Sequence, residues 1–262
     1  MLHTHNIDGI SYTISGSGPA IVFLHGFLES KAIWNDFANA LKNQFTVVCI
    51  DLPGHGESQL PEGEPTIDAM ALAVNKVFEK LDLKDALIVG HSLGGYVASA
   101  FTQKFEYKLS GLVFFHSHAA PDSAEAKENR RRTINIVQQD KGGFIRQFIP
   151  DLFDKKYVEK HTAKIEELKE IAAQMSSDAV VYALAAMRDR PGTLQYLLVS
   201  DIPVMFIIGK QDTRMPYNQI LAQAVIPAHS EILLLEDVAH MGYIEAASIT
   251  LEAIRHFGMR IG

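Results

Sequence analysis

The chain has 262 residues and carries 24 Lys and Arg against 31 Asp and Glu, which gives a formal net charge of −7. This length can bury the core of one large domain with a small insertion. The acidic balance disfavours nonspecific binding to nucleic acid or to an anionic membrane surface, because both depend on clustered positive charge.

The N-terminal residues, MLHTHN, contain no basic segment followed by an apolar stretch, so we predict no signal peptide. No window of the chain reaches the roughly 18 apolar residues that span a bilayer. These observations predict a cytoplasmic protein without a membrane partner. The single cysteine excludes an intrachain disulfide.

Short apolar segments alternate with helical patterns along most of the chain. Residues 8–15 are predicted to form a strand that turns back into the next one and gives the sheet an antiparallel edge. Alternation of strands and helices requires crossover connections, so we predict an α/β fold, a mostly parallel sheet with helices on both faces. The other predicted strands are 20–24, 46–50, 86–89, 111–115, 204–208 and 231–235, and the clearest helices are 33–41, 67–81 and 94–104.

The stretch 119–199 breaks this alternation, because it is rich in charged helical sequence and shows no convincing strand. About 80 residues are too many for one crossover connection. We therefore predict a helical cap at 119–199, inserted after the sixth strand between two parts of the core, 1–118 and 200–262. Glycines at 142–143 and the RPG sequence at 190–192 are predicted to separate its helices.

The strongest motif is GHSLG at residues 90–94, directly after the strand 86–89 and before a helical pattern. A serine flanked by glycines in a strand–turn–helix context is typical of a nucleophile elbow. The turn is so tight that the residues flanking the serine need almost no side chain. The serine then lies beside a helix N-terminus, which favours an oxyanion.

With four further motifs, the chain resembles members of the α/β-hydrolase superfamily over nearly its whole length. Each motif follows a predicted strand, and the order along the chain is that of the family. The motifs are LHGF at 24–27, DLPGHGES at 51–58, GHSLG at 90–94, GKQD at 209–212 and AHMG at 239–242.

The resemblance implies a catalytic triad, with Ser92 as the nucleophile, His240 as the base and Asp212 orienting the base. Asp201 is a weaker candidate for the acid, because it precedes its strand and belongs to the other edge of the sheet. Asp237, three residues before His240, also competes.

By the same resemblance, the backbone N–H groups of Phe27 and Leu93 form the oxyanion hole. His91 and His25, next to these residues, are candidates for binding substrate, but His91 could instead hydrogen-bond locally, and for His25 a structural role in shaping its loop is favoured over a catalytic one. His116 and His118 have the H-x-H spacing of metal ligands, but no third ligand is apparent, so a role in the pocket or the core is favoured. We expect no metal and no cofactor.

A serine nucleophile predicts hydrolysis of a small ester, lactone or thioester through an acyl-enzyme, with the acyl substrate and water as the partners. The chain resembles small esterases, enol-lactone hydrolases and haloperoxidase-like hydrolases. Carbon–carbon bond hydrolases and a menaquinone-pathway synthase share the triad, although the synthase usually has Arg where this chain has Tyr96. A non-catalytic receptor or scaffold on this fold is the alternative of another class. The arginine run 130–132 is either a solvated helix face or a binding site for a substrate carboxylate.

Overall fold

The strands form one eight-stranded sheet in a computed structural model, which describes residues 3–262. Residues 1 and 2 lie outside the described range. They are part of the predicted core segment 1–118 and of the N-terminal stretch for which we predicted no signal peptide. In chain order the strands are β1 (Thr4–Ile7), β2 (Ile10–Gly16), β3 (Ala20–Leu24), β4 (Thr46–Ile50), β5 (Ala86–His91), β6 (Leu109–Phe115), β7 (Val204–Gly209) and β8 (Ser230–Leu235).

The sheet has the order β1-β2-β4-β3-β5-β6-β7-β8, and every neighbouring pair from β4 to β8 is parallel. All residues of β5 and β7 are buried, as expected for parallel strands with helices on both faces. Continuous burial is why these segments read as apolar runs. The predicted fold class is confirmed.

Ten α-helices within residues 3–262 accompany the sheet, together with five short 3₁₀ turns. The α-helices are α1 (Asn35–Leu41), α2 (Ile67–Leu81), α3 (Leu93–Phe105), α4 (Ala124–Phe148), α5 (Thr162–Gln174), α6 (Ser177–Asp189), α7 (Leu194–Val199), α8 (Tyr217–Ala224), α9 (Gly242–Glu245) and α10 (Ala247–Ile261). The 3₁₀ turns are Lys31–Trp34, Glu106–Lys108, Pro150–Leu152, Lys155–Tyr157 and Glu159–His161.

The N-terminal edge of the sheet is antiparallel, as predicted, but its strand pairing differs from the prediction. Strand β2 does not pair with β3, the strand that follows it, but runs antiparallel to β4, and β1 forms the edge beside β2. Strand β3 has β4 and β5 as its two neighbours, so its hydrogen-bonding edges are already occupied. The prediction missed β1, because this strand has only four residues and shows no buried face.

Between β6 and β7, residues 116–203, all of them described, contain only helices and loops; we call this range the helical segment. Helix α4 is interrupted by a kink at Asp140 (φ −148°, ψ 78°), so the predicted break at 142–143 lies within two residues of the observed one. The carboxylate of Asp140 accepts a hydrogen bond from the Gly143 amide at 2.7 Å, which satisfies a donor at the kink. The boundaries 119–199 of a cap stay a prediction.

Within residues 3–262, no helix combines the length and the apolar character that crossing a membrane requires.

The loop after β4 is fixed by a buried lysine. The Lys31 ammonium lies 2.6 Å from carboxylate oxygens of both Asp51 and Glu57, and it also donates to Ser11 at 2.9 Å. Burial opposes the charge of Lys31, but the two carboxylates outweigh this effect and raise the pKa of the ammonium. The lysine therefore joins the start of the 51–58 loop to β2 and to the turn before α1.

Replacing Lys31 by Met should lower the free energy of unfolding by about 3–5 kcal/mol, since it leaves the fully buried Asp51 carboxylate without its cation. Urea denaturation of both proteins measures this loss. Lys76→Met is the matched control, because Lys76 and Asp8 are 3.6 Å apart and exposed, and such pairs contribute about 1 kcal/mol or less. Equal losses in the two variants would contradict the role given to Lys31.

Candidate active site

Ser92 lies at the turn between β5 and α3 in a backbone conformation that L-residues rarely adopt, with φ +50° and ψ −114°. The turn is held on both sides of the serine. Its N–H donates to the Phe115 carbonyl at 3.0 Å, and its carbonyl accepts from the Gly95 N–H at 2.9 Å and the Ser117 hydroxyl at 2.7 Å. Strain of this kind persists only where the surrounding structure enforces it, and it is common at functional sites.

Two glycines make this turn possible. A Cβ atom on Gly90 would lie 2.3 Å from the carbonyl oxygen of Gly94. A Cβ atom on Gly94 would lie 2.5 Å from the carbonyl oxygen of Leu24 and 2.6 Å from that of His25. Only glycine permits this approach, so the sequence GHSLG folds into a turn pressed against the end of β3.

His240 and Asp212 come from the loops after β8 and β7 and meet beside this turn. His240 Nδ1 donates to Asp212 Oδ2 at 2.7 Å, while Asp212 Oδ1 accepts from the amides of Arg214 and Met215 at 2.8 and 2.9 Å. Burial opposes ionisation of Asp212, but His240 and the hydrogen bonds outweigh it and hold the pKa of this carboxyl well below its usual range. A neutral His240 that donates from Nδ1 has Nε2 available as a proton acceptor.

The competing carboxylates lie elsewhere. Asp201 is exposed before β7, and the Asp237 side chain is 62% exposed and lies 3.9 Å from Lys156. The structure therefore places neither of them against His240.

His116 and His118 have different surroundings. His116 is fully buried, with Nδ1 3.3 Å from Asp212 Oδ2, and burial lowers the pKa of its imidazole to about 4. His118 lines the cavity, and burial, followed by the charge of Arg190, lowers its pKa to about 4 as well. In the described part of the chain, no group of three or more His, Cys, Asp or Glu side chains is arranged to hold a metal ion.

A cavity of about 540 Å³ joins Ser92 and His240 to the helical segment. Phe27 forms part of its wall, and the ring of Phe148 lies 5.7 Å from the Phe27 ring in an edge-to-face arrangement. The wall is therefore built from both the sheet side and the helical segment. Its other apolar side chains include Phe144, Leu152, Leu184, Met187 and Met215.

Two backbone amides near Ser92 are unused. Within residues 3–262, the N–H groups of Phe27 and Leu93 donate to no protein acceptor. Leu93 is the first residue of α3, where an amide has no acceptor inside the helix. The next residue after Phe27, Leu28, has φ +64°, so the loop after β3 turns sharply at this point.

The structure places His25 outside the cavity wall, in a structural position. His25 is fully buried, and its Nδ1 donates to the Gly26 carbonyl at 2.8 Å while its Nε2 accepts from the Leu52 amide at 3.0 Å. Burial lowers the pKa of this imidazole, which fits a neutral ring with one donor and one acceptor. His25 therefore joins the loops after β3 and β4 and does not line the cavity.

His91 is also absent from the cavity wall and is 1% exposed. Its Nδ1 lies 2.9 Å from Glu29 Oε2, and its Nε2 lies 2.9 Å from the carbonyl oxygen of His240. Glu29 Oε2 also accepts from the Gly26 amide at 2.5 Å, and Oε1 accepts from the Tyr243 hydroxyl at 3.0 Å. One buried pair thus joins the loop after β3 to the loop that carries His240.

The hydrogen bonds of His91 determine its protonation state. Nε2 faces a carbonyl, which can only accept, so Nε2 donates; with Glu29 ionised Nδ1 donates as well, and the ring is then an imidazolium. Burial opposes this charge, but Glu29 outweighs it and raises the pKa of His91, while His91 in turn lowers the pKa of Glu29. Sequence reasoning missed Glu29, although a lone carboxylate within the motif stretch FLES at 27–30 was the available signal.

Comparison with known proteins identifies the family to which this fold belongs. A sequence model described as the alpha/beta hydrolase fold matches residues 19–164, more than half of the chain. The chain belongs to the α/β-hydrolase family. This hydrolase is similar to a solved thermophilic esterase from Thermogutta terrifontis (malate bound), with 29% identity, a TM-score of 0.91 and coverage of 99% of this chain and 97% of the other.

Two further relatives carry the name of a lactonase. The 3-oxoadipate enol-lactonase 2 of Acinetobacter baylyi is 22% identical over 238 residues, which are 90% of this chain and 88% of that protein. The solved enol-lactonase of Burkholderia xenovorans LB400 is 20% identical, with a TM-score of 0.88 and coverage of 97% and 99%. At this identity the second likeness shows the fold alone. Together the comparisons support a hydrolase on this fold.

Replacing Glu29 by Gln should destabilise this hydrolase in a pH-dependent way. The raised pKa of His91 gives stability that is complete below its usual value of 6.5 and is lost as the pH rises through the folded-state value. The lowered pKa of Glu29 gives stability that is lost as the pH falls below 4.5. Urea midpoints of both proteins across pH should therefore differ most between pH 4.5 and 6.5. A difference that stays constant up to pH 9 would contradict the ion pair.

Proposed function

We propose that the protein is a serine hydrolase that cleaves a small ester, lactone or thioester through an acyl-enzyme. The observation that carries this proposal is the arrangement of three residues. Ser92 occupies a strained turn at the wall of a cavity, and the same cavity is lined by His240, whose Nδ1 is held by the buried Asp212 carboxylate. This is the arrangement by which an imidazole activates a serine hydroxyl.

In the first half of the reaction, His240 Nε2 takes the proton of the Ser92 hydroxyl as Oγ attacks the substrate carbonyl carbon. The bond from that carbon to the leaving oxygen or sulfur breaks, and His240 returns the proton to the leaving group. In the second half, water attacks the acyl carbon and gives one proton to His240, which passes it to Ser92 Oγ as the bond from Oγ to the acyl carbon breaks, so both side chains return to their starting state. The products are a carboxylic acid and an alcohol or thiol, or one hydroxy acid from a lactone. Asp212 stabilises the imidazolium in both halves.

The negative charge that develops on the carbonyl oxygen needs donors that are already in place. The unused amides of Phe27 and Leu93 are the donors that we assign to it, and the N-terminus of α3 adds a favourable dipole. The Glu29 carboxylate binds the Gly26 amide next to Phe27, and its partner His91 binds the His240 carbonyl. Glu29 and His91 are therefore positioning residues for both sides of the site.

The cap helices determine the size of the substrate. A cavity of about 540 Å³ accepts a compound of drug-like or smaller size, and its apolar wall removes water from the reacting carbonyl. We assign the helical segment to this role because α4 and α6 contribute much of the wall.

Labelling with a fluorophosphonate tests the proposal, because only an activated serine reacts with it readily. We expect one adduct, located on Ser92 by peptide mass spectrometry, and we expect Ser92→Ala to lose both the adduct and hydrolysis of short-chain aryl esters by at least about 10³-fold. Circular dichroism of the variant should show an unchanged fold.

Ser123→Ala is the matched control, because the Ser123 hydroxyl lines the same cavity but caps α4 through the Ala126 amide at 3.1 Å. It should keep the adduct and lose only about 1 kcal/mol of stability. If folded wild-type protein gives neither an adduct nor aryl ester hydrolysis, the proposal is wrong and a binding protein on the hydrolase fold becomes the better interpretation.

A further inference from the structure

One wall of the cavity carries a guanidinium whose hydrogen-bonding capacity is largely unused. Arg130, on α4, lines the cavity with its side chain 22% exposed. Its Nε donates to Asp122 Oδ2 at 2.5 Å. Among residues 3–262, no protein acceptor receives a hydrogen bond from its two terminal nitrogens. A guanidinium presents these nitrogens as a planar fork, which matches a carboxylate.

The carboxylate beside Arg130 is already neutralised by a second arginine. Arg190 Nη1 donates to Asp122 Oδ1 at 2.6 Å, and Arg190 is itself held by the carbonyls of Met187 and Ala120 at 2.7 and 3.0 Å. Its guanidinium stacks on the Tyr96 ring at 3.7 Å and is 3% exposed. Arg190 is therefore a fixed counterion, which leaves the positive charge of Arg130 in excess.

Asp122 remains charged in these surroundings. Its side chain is 6% exposed, and although burial opposes ionisation, Arg130 and Arg190 outweigh it and lower the pKa of the carboxyl. Two cations thus share one anion at this wall. Arg130, Arg190 and Asp122 together carry a charge of +1. The protein as a whole has a net charge of −7, so its overall composition does not reveal this positive site.

The remaining charges of the cavity do not cancel this excess. Arg214 lies over the Phe148 ring at 4.7 Å, and its Nη2 is 3.9 Å from Asp151, whose side chain is 64% exposed. This pair is loose and solvated, and it is balanced in itself. Asn129 and Thr133, within one turn of Arg130 on α4, and Gln147, near the end of the same helix, add neutral hydrogen-bonding groups to the cavity wall.

We propose that the acyl compound cleaved at Ser92 carries a carboxylate, and that the terminal nitrogens of Arg130 bind this carboxylate. The substrate class is then a half-ester of a dicarboxylic acid, or a lactone or thioester with a carboxylate on its chain. This inference rests on the proposed function for the reaction. To the proposed reaction it adds a carboxylate on the substrate and Arg130 as the residue that recognises this carboxylate.

The test compares two esters that differ in one charge, the 4-nitrophenyl half-ester of adipic acid and 4-nitrophenyl hexanoate. The wild-type enzyme should have the higher kcat/KM for the half-ester. Arg130→Gln should lower the ratio of kcat/KM for the half-ester to that for hexanoate by about tenfold or more, mainly through KM, because a charge-assisted bidentate contact is lost. Arg130→Lys keeps the charge without the fork and should recover part of the ratio.

Arg131→Gln and Arg132→Gln are the matched controls. They belong to the same arginine run, but their side chains are 55% and 71% exposed, and both pair with Glu128 on the preceding turn of α4. Both variants should keep the wild-type ratio. An equal loss in all three variants would mean that long-range charge, and not a contact with Arg130, sets the preference.

Binding of adipate to the wild-type protein separates this inference from the proposed function. Calorimetry should show adipate binding that the uncharged hexanamide does not match and that Arg130→Gln abolishes, whether or not Ser92 turns over either ester. If Ser92 reacts with the fluorophosphonate but the two esters are cleaved equally and adipate does not bind, this inference is wrong while the serine hydrolase proposal stands. If adipate binds and Ser92 is inert, the carboxylate-binding role of Arg130 stands while the serine hydrolase proposal is wrong.

Discussion

The site depends on one close contact between backbones, where the first turn of α3 crosses the end of β3. Gly94 approaches the carbonyls of Leu24 and His25 so closely that no side chain fits between them. This contact makes room for the strained turn at Ser92, and it presses the loop after β3 against the N-terminus of α3. The other side chains of the site lie around this crossing, because the loops that follow β6, β7 and β8 begin at the same edge of the sheet.

Buried charges then fix these loops relative to one another. The pair of Glu29 and His91 connects the loop after β3 to the His240 loop, and Asp212 holds the His240 ring. Replacing both members of a buried ion pair by apolar residues often leaves the free energy of unfolding unchanged or raises it. The contribution of these pairs to stability therefore does not explain their presence. What they supply is direction, since each hydrogen bond fixes one peptide or ring orientation where the site needs it. Lys31 plays the same part for the loop after β4.

Much of the fold was predictable from the sequence, because parallel strands are buried on both faces and read as short apolar runs. The bounds of β3 and β4 agree with the predicted 20–24 and 46–50. The edge strand β1 was not predictable, since it has no buried face, and the glycines at 142–143 placed the break in α4 only to within two residues of the kink at Asp140. The structure brings the predicted Ser92 and His240 to one cavity and Asp212 to His240 Nδ1, but their roles stay proposals. His25 and His91 do not line the cavity, which the sequence could not tell, because adjacency in sequence does not fix the direction of a side chain.

The amide of His240 donates to the carbonyl of Leu152, which belongs to a 3₁₀ turn of the helical segment, at 3.0 Å. The backbone of His240 is thus anchored to the helical segment, which also supplies part of the cavity wall. A movement of this turn away from the sheet would move His240 together with that wall. Exchange of the helical segment with that of a relative would therefore preserve the position of His240 only if the incoming chain offers a carbonyl at the same point. The helical segment and the position of His240 are therefore coupled through one backbone hydrogen bond.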